Sequence, residues 1–335
     1  MRRDMSSPPE VEILLATYNG ERFLRQQVDS ILTQDYKNIR VLARDDGSSD
    51  GTIGILSEYA ERYPDRFRIM ELAGPSGGAK ENFLRLMEQS TAEYVCFSDQ
   101  DDVWLPNKVS RTKQAMDELE FKWGRDCPLL VFTDLCVVDD QLNMLYESFW
   151  THMGIDPERI SQLAQLLGKS VVTGCTAMLN RRLLELSLPM PAAALMHDRW
   201  IALLASVLGK SDFVRMQAVL YRQHDRNVLG IGRNAEDGLM GQRKRSLRER
   251  IQNFRRNRAV YVEEWKSCQR QARALLEMHV TALPKQKRDV LSAYLRCETS
   301  GSRIVRIATL ISYRFYFVGF AKNLAVLFHL WNIEQ

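Results

Sequence analysis

None of the six cysteines in this 335-residue sequence pairs at Cys-x-x-Cys spacing; Cys96, Cys127, Cys136, Cys175, Cys268 and Cys297 are scattered, several within apolar runs. That scatter argues against a zinc site or a disulfide framework, and buried free thiols in a reducing compartment are expected. Long hydrophobic runs are also missing: none reaches the roughly 18 to 20 uncharged apolar residues that cross a bilayer. Met1 to Glu10 is short, polar and proline-bearing, without the apolar segment of a secretory signal, so a cytoplasmic protein is expected. Gly-x-Gly-x-x-Gly does not follow the first apolar run, which argues against a dinucleotide enzyme. Gly-x-x-x-x-Gly-Lys-Ser/Thr is absent as well, which disfavours a P-loop. Internal repeats and low-complexity tracts are lacking too.

What is present is ordinary for a globular protein, 45% hydrophobic and 26% charged, with length for one large domain or two smaller ones. The net charge of +4 conceals an asymmetry. Residues 241–335 hold 19 Lys/Arg against 7 Asp/Glu, or +12, leaving 27 against 35, or −8, for residues 1–240. A basic tail of this kind points to nucleic acid, an anionic membrane surface or an acidic partner, with a solvated helical face as the plain alternative.

Apolar runs and helical periodicities alternate over the first hundred residues. Strands are expected at Val11 to Ala16, Ile39 to Ala43, Phe67 to Leu72 and Tyr94 to Phe97, with helices at Glu21 to Leu32, Thr52 to Tyr63 and around Asn82 to Glu88. That β-α alternation predicts a parallel, Rossmann-like sheet. Beyond it, a helix over about Asn107 to Leu119 precedes a strand at Leu129 to Thr133. Further β candidates at Ser170 to Leu179 and Phe213 to Tyr221 flank a helix around His197 to Leu208. Glycines 230, 232, 238 and 241 mark a boundary near 230–245. This divides the chain into a flexible terminus over 1–10, a catalytic domain over 11–235 and a basic helical region over 236–335.

Three carboxylates stand within four positions in Ser98-Asp99-Gln100-Asp101-Asp102-Val103-Trp104, just past the fourth strand. In an open α/β sheet, ligands lie beyond the carboxyl ends of the strands. Carboxylates this close repel unless a cation neutralises them, and hard oxygen ligands suit Mg²⁺ or Mn²⁺ held with substrate phosphates. A helix-capping loop is the alternative. Two more loops share that sheet edge, Thr17-Tyr18-Asn19-Gly20 and Arg44-Asp45-Asp46-Gly47-Ser48-Ser49-Asp50-Gly51-Thr52.

In order and spacing these three loops resemble glycosyltransferase family 2, inverting nucleotide-sugar transferases with the A fold. The likeness runs over residues 11 to about 225. The Ser-Asp-Gln-Asp-Asp-Val-Trp variant, with His197-Asp198-Arg199-Trp200 and Tyr221-Arg222-Gln223-His224 downstream, looks most like rhamnosyltransferase-like members that build bacterial surface polysaccharides such as O-antigen. The resemblance implies a Rossmann-like A fold with a mixed, mainly parallel sheet and a C-terminal helical region. It also implies a nucleotide-sugar donor and a glycan or lipid-linked glycan acceptor.

Site roles follow from the same resemblance. Thr17 and Tyr18 would line the base and ribose pocket, and Glu21 would help hold the nucleotide loop. Asp46, with Asp45 as the alternative, would accept the N3–H of uracil or thymine, a charge-assisted bond; a self-stabilising Asp/Gly/Ser turn competes with this. Lys80 would approach the nucleotide, unless it is simply solvated. Asp101 would ligate the metal directly, and Asp99 would face ribose or donor sugar as the other half of the Asp-x-Asp pair. Asp102 would act through water or orient its neighbours, with Trp104 supporting the acceptor side. Asp198 would take the acceptor proton, with a helix cap as the alternative. His197, where many relatives carry Glu, would bind acceptor or shape the pocket. His224 would complete the metal shell or serve a structural hydrogen bond, and Arg222 would bind phosphate. Gly174 opens a Gly-Cys-Thr segment resembling the acceptor-side loop. The Gln-x-x-Arg-Trp of processive synthases is missing, so single-sugar addition is expected.

Ile304 to Trp331 interleaves aromatic and aliphatic residues with Arg303, Arg306, Arg314 and Lys322, which suits a helix lying in a membrane interface. Packing against the catalytic domain or a dimer partner is the alternative. Two other function classes compete: a nucleotidyltransferase, and a non-catalytic nucleic-acid binder acting through the tail, although no nucleic acid is expected as a partner.

Overall fold

The computed structural model describes residues 11–70, 74–224, 247–317 and 320–333. Along the chain it forms β1 (Val11–Thr17), α1 (Leu24–Leu32), β2 (Ile39–Asp45), α2 (Thr52–Arg62), β3 (Phe67–Ile69), α3 (Ala79–Gln89), β4 (Tyr94–Ser98), β5 (Val103–Trp104) and α4 (Lys108–Trp123). There follow β6 (Leu129–Val138), β7 (Met144–Tyr146), α5 (Phe149–Met153), α6 (Leu163–Leu166), β8 (Met178–Asn180), α7 (Arg181–Leu186), α8 (His197–Leu208) and β9 (Lys210–Arg222). Four helices end the chain: α9 (Leu247–His279), α10 (Lys285–Thr299), α11 (Arg303–Ser312) and α12 (Phe320–Asn332).

Two compact units emerge. Among the described residues, one holds 11–70, 74–149, 172–190 and 209–224; the other holds 150–171, 191–208, 247–317 and 320–333. The helical unit thus draws on two segments that local pattern had grouped with the catalytic region. The expected boundary near 230–245 falls outside the described residues.

In the first unit the strands run β3-β2-β1-β4-β8-β6-β9-β5, with β7 on β6. β1, β2, β3 and β4 pair in parallel, as the β-α alternation predicts. β8 then enters antiparallel between β4 and β6, and β9 runs parallel to β6. The sheet is therefore mixed and mainly parallel. Ser170 to Leu179 is not the strand its apolar content predicts: only Met178–Asn180 pairs, after a 3₁₀ turn at Gly174–Thr176. β6 is longer than expected, its ten residues all buried because neighbours cover both faces.

In the second unit, α9 buries Tyr261, Trp265, Cys268, Ala272 and Leu275, a stripe at alternating spacings of four and three. Trp265 meets Tyr294 at 4.9 Å between ring centroids, and Tyr294 meets Phe315 at the same separation. No described helix is long and apolar enough to cross a membrane.

Candidate active site

Parallel pairing fixes where the three loops meet. Leu15 of β1 sits opposite Ser98 of β4, and Thr17 opposite Asp45 of β2, so all three loops leave the same sheet edge. They are then stitched together. Tyr18 N–H donates to Gln100 Oε1 at 2.7 Å, and Gln100 Nε2 returns a bond to Tyr18 O at 2.8 Å. Asn19, in the left-handed region at φ 48, takes Ser49 N–H on Oδ1 at 2.8 Å. Glu21 Oε2 accepts Gly51 N–H at 2.6 Å, so Glu21 braces the second loop. The Tyr18 ring stays 57% exposed at the mouth of this edge.

The two aspartates of the second loop are differently engaged. Asp45 is buried and spent on its own turn, accepting Thr17 Oγ1 at 2.9 Å, Ser48 N–H at 2.7 Å and Gly47 N–H at 3.0 Å. Asp46 Oδ1 accepts Ser76 Oγ at 2.6 Å, the Ser76 N–H and Arg44 Nη1 at 3.1 Å. Its Oδ2 accepts Gly78 N–H at 3.0 Å. Burial alone would raise the Asp46 carboxyl, but the Ser76, Arg44 and Gly78 donors outweigh it and hold it below the ordinary value. Lys80 pairs with Glu81 at 3.2 Å.

The acidic loop splits into two groups. Asp101 Oδ2 lies 2.8 Å from His224 Nε2. Asp99 and Asp102 instead gather with Cys175, one ligand atom from each lying within 4.8 Å of the others. Asp102 is fully buried; its Oδ1 accepts Arg222 N–H at 3.1 Å, while Oδ2 has no hydrogen-bond partner. Burial drives the Asp102 carboxyl well above the carboxylate range, and Asp101 and Asp99 push it further. Such a carboxylate, with one orphan oxygen and two acidic neighbours, fits a divalent cation that would neutralise it. The Cys175 thiol, raised by burial and by Asp102, stays neutral and lines the group.

Arg222 takes a place the sequence does not foretell. Its Nε donates to Asp101 O at 2.8 Å, Nη1 to Asp140 O at 2.6 Å and Nη2 to Gln26 Oε1 at 2.7 Å. All three nitrogens face protein acceptors, so the guanidinium clamps the acidic loop. Phe23 completes the clamp, its ring 4.4 Å from the Arg222 guanidinium and 5.0 Å from the His224 ring. Trp104 is buried, with the Lys108 ammonium 3.5 Å from its ring centroid. Gly174 is buried in the turn that presents Cys175. His197 and Asp198 stand in the second unit, on the first turn of α8, where Asp198 Oδ1 accepts Arg199 N–H at 2.6 Å. His197 is buried, which lowers its pKa.

Gln100, Cys175, Phe23 and Lys108 join the site without a prior signal, save one. A lysine opening a helix opposes the macrodipole, which marks Lys108 for a tertiary role.

The model of glycosyl transferase family 2 matches residues 12–186. The dTDP-rhamnosyl transferase RfbG of Shigella flexneri is 29% identical over 64% of this chain and 73% of its own length. The putative glycosyltransferase EpsE of Bacillus subtilis is 33% identical over 40% of this chain, but the match spans only 48% of that protein. S. aureus TarS 1-349 in complex with UDP superimposes with a TM-score of 0.52 at 14% identity, over 96% of this chain and 90% of that one. Mannosyltransferase PcManGT from Pyrobaculum calidifontis, in complex with GDP-Man and Mn²⁺, gives 0.50 at 17% identity, over 98% and 89%. At those identities the two structures bear on the fold alone.

Proposed function

This chain belongs to glycosyl transferase family 2, and from that premise we propose an inverting transfer from dTDP-rhamnose or a UDP-sugar to a hydroxyl of a growing, lipid-linked bacterial glycan at the inner membrane face. That it is a glycosyltransferase acting on nucleotide sugars follows from the family. The observation that carries the finer reading is the buried Asp102 with its orphan oxygen, grouped with Asp99 and beside the Asp101–His224 pair.

Asp99, Asp101, Asp102 and His224 would hold Mg²⁺ or Mn²⁺. When bound, the cation supplies positive charge against the diphosphate leaving group. The other steps belong to side chains. Tyr18 packs against base or ribose at the mouth of the pocket, and Thr17 holds Asp45 and with it the turn beneath. Asp46 Oδ2 carries one bond, from Gly78 N–H, and so keeps acceptor capacity for the pyrimidine N3–H. Lys80 lies near the phosphates. Asp198 takes the proton as the acceptor oxygen bonds to C1 and the C1–O bond to diphosphate breaks on the opposite face. Trp104 and Gly174 support the acceptor side from within, and His197 shapes it.

Support for a dTDP donor comes from the name of the Shigella relative, and for a metal from the acidic group. The family membership removes the grounds for a nucleotidyltransferase. Calorimetry against UDP- and dTDP-sugars, with and without Mn²⁺, tests the reading. Binding that strengthens with Mn²⁺ in the wild type and no longer does so in Asp101→Asn is expected; equal binding in all four conditions refutes the metal.

A further inference from the structure

Helix α11 buries an arginine beside Leu310 and leaves most of its apolar side chains outside. Its charged Arg306 is 2% exposed, whereas Ile304 is 74%, Val305 49% and Ile311 53% exposed. Ala308 is exposed as well, so residues 304, 305, 308 and 311 form one outward stripe at helical spacing. A surface helix ordinarily does the reverse, since apolar area left in water forfeits its burial energy and a buried cation must be desolvated. The inward Arg306 is held by Ile333 O, to which Nη2 donates at 3.3 Å. Ser302 caps the helix by accepting Val305 N–H. Arg306 Nε has no hydrogen-bond partner, so the inward guanidinium is only partly satisfied.

The stripe continues onto α12. Trp331 is 51% exposed, and the Arg303 guanidinium lies 5.9 Å from its ring centroid. Gly301, Ser302, Arg303, Ile304, Trp331 and Ile333 line an open hollow of about 690 Å³ there. Tyr313 and Tyr316, exposed past the helix end, add two more amphipathic rings. Charge decides the occupant. Residues 299–333 hold no carboxylate; Arg306 is buried and Lys322 pairs with Glu264 at 2.9 Å, so the exposed cations there are Arg303 and Arg314. A second copy docking by the same face would add another exposed Arg303 and Arg314 to the interface, with no carboxylate from residues 299–333 to pair with them. An anionic bilayer accepts the apolar stripe into its acyl boundary, the Trp and Tyr rings at headgroup level and the arginines among phosphates.

We propose that the outward stripe of α11, with Trp331, Arg303 and Arg314, is the surface by which this enzyme lies on anionic lipid. The inference rests on the proposed action at a membrane face and names the residues that would make it. It assigns α11 to the interface plane, since no described helix is a membrane span.

Co-sedimentation of the full chain with phosphatidylcholine vesicles, with and without about 30% phosphatidylglycerol, tests it. Ile304→Glu/Ile311→Glu should lower partitioning onto anionic vesicles at least about tenfold. Arg303→Gln and Arg314→Gln should each lower it about fivefold, an effect that salt erases. Phe121→Glu, which alters a 96% exposed apolar residue on α4, should leave it unchanged. UDP binding, retained in every variant, reports folding. Wild-type protein that ignores anionic vesicles defeats the membrane reading as a whole. Wild type that binds while the Ile304/Ile311 double variant binds equally well keeps that reading and overturns this face. A concentration-dependent dimer broken by the double variant, without lipid binding, assigns the stripe to a second copy and also overturns it.

Discussion

Replacing Arg222 with Met should cost the sheet-bearing unit far more stability than nucleotide affinity. The side chain is 1% exposed, and its guanidinium serves Asp101 O, Asp140 O and Gln26 Oε1 between 2.6 and 2.8 Å. A hydrogen bond from a charged donor contributes about 1.5–3 kcal/mol, and a buried acceptor left bare costs about 1–3 kcal/mol. The three bonds share one group and do not add, and Met keeps the apolar stem against Phe23. A net loss of about 3–5 kcal/mol follows, at the upper end for single substitutions. Arg222→Lys keeps charge but has no planar fork, so it should recover only about 1–2 kcal/mol. Urea unfolding followed by circular dichroism, beside UDP calorimetry, reads both quantities. If the guanidinium held phosphate instead, UDP affinity would fall tenfold or more while the unfolding midpoint stayed in place. That outcome, or a stability loss below about 1 kcal/mol, refutes the clamp.

Asp198→Asn should lower turnover by about 10²–10⁴ while the Kd for nucleotide stays within twofold; a matching rise in Kd would move Asp198 from proton transfer to donor binding. Asp46 carries a lowered pKa, so its contribution is fully present above about pH 4 and fades as pH falls through the folded value. Urea midpoints of wild type and Asp46→Asn should differ at pH 7 and draw together as pH falls below about 4; a gap independent of pH counts against the hydrogen-bonded carboxylate. Five of the six free cysteines are buried, and burial pushes the Cys297 thiol up to about 12. An aromatic disulfide reagent should therefore label the half-buried Cys127 first, with the others reacting only on unfolding. Fast labelling of Cys175 in the native protein would mean that the group around Asp102 is open.

Much of the sheet is legible in the sequence because hydrophobic period is a local property. β1, β2 and β4 each carry an unbroken apolar run, and α8 has the bounds its pattern predicts. The three loops at the carboxyl edge are legible too, since Asp, Gly and Ser cluster where each run stops. Where local pattern misleads, tertiary packing is the cause. Ser170 to Leu179 is apolar enough for a strand, yet its middle forms the turn that buries Cys175 beside Asp102. β5 is two residues long, too short for any period, and exists because β9 pairs with it.

By itself the sequence determined the β-α alternation, the acidic loop after β4 and the basic excess of the tail, all of which depend on neighbours along the chain. Only the tertiary structure decided that Arg222 and His224 reach Asp102 and Asp101 across some 120 residues. The antiparallel pairing of β5 with β9, with Val103 opposite Leu220, sets that meeting, and no local preference encodes it. The same holds for α11, where composition predicts an amphipathic helix but packing chose which face to bury. It buried Arg306 on a carbonyl and left isoleucine outside.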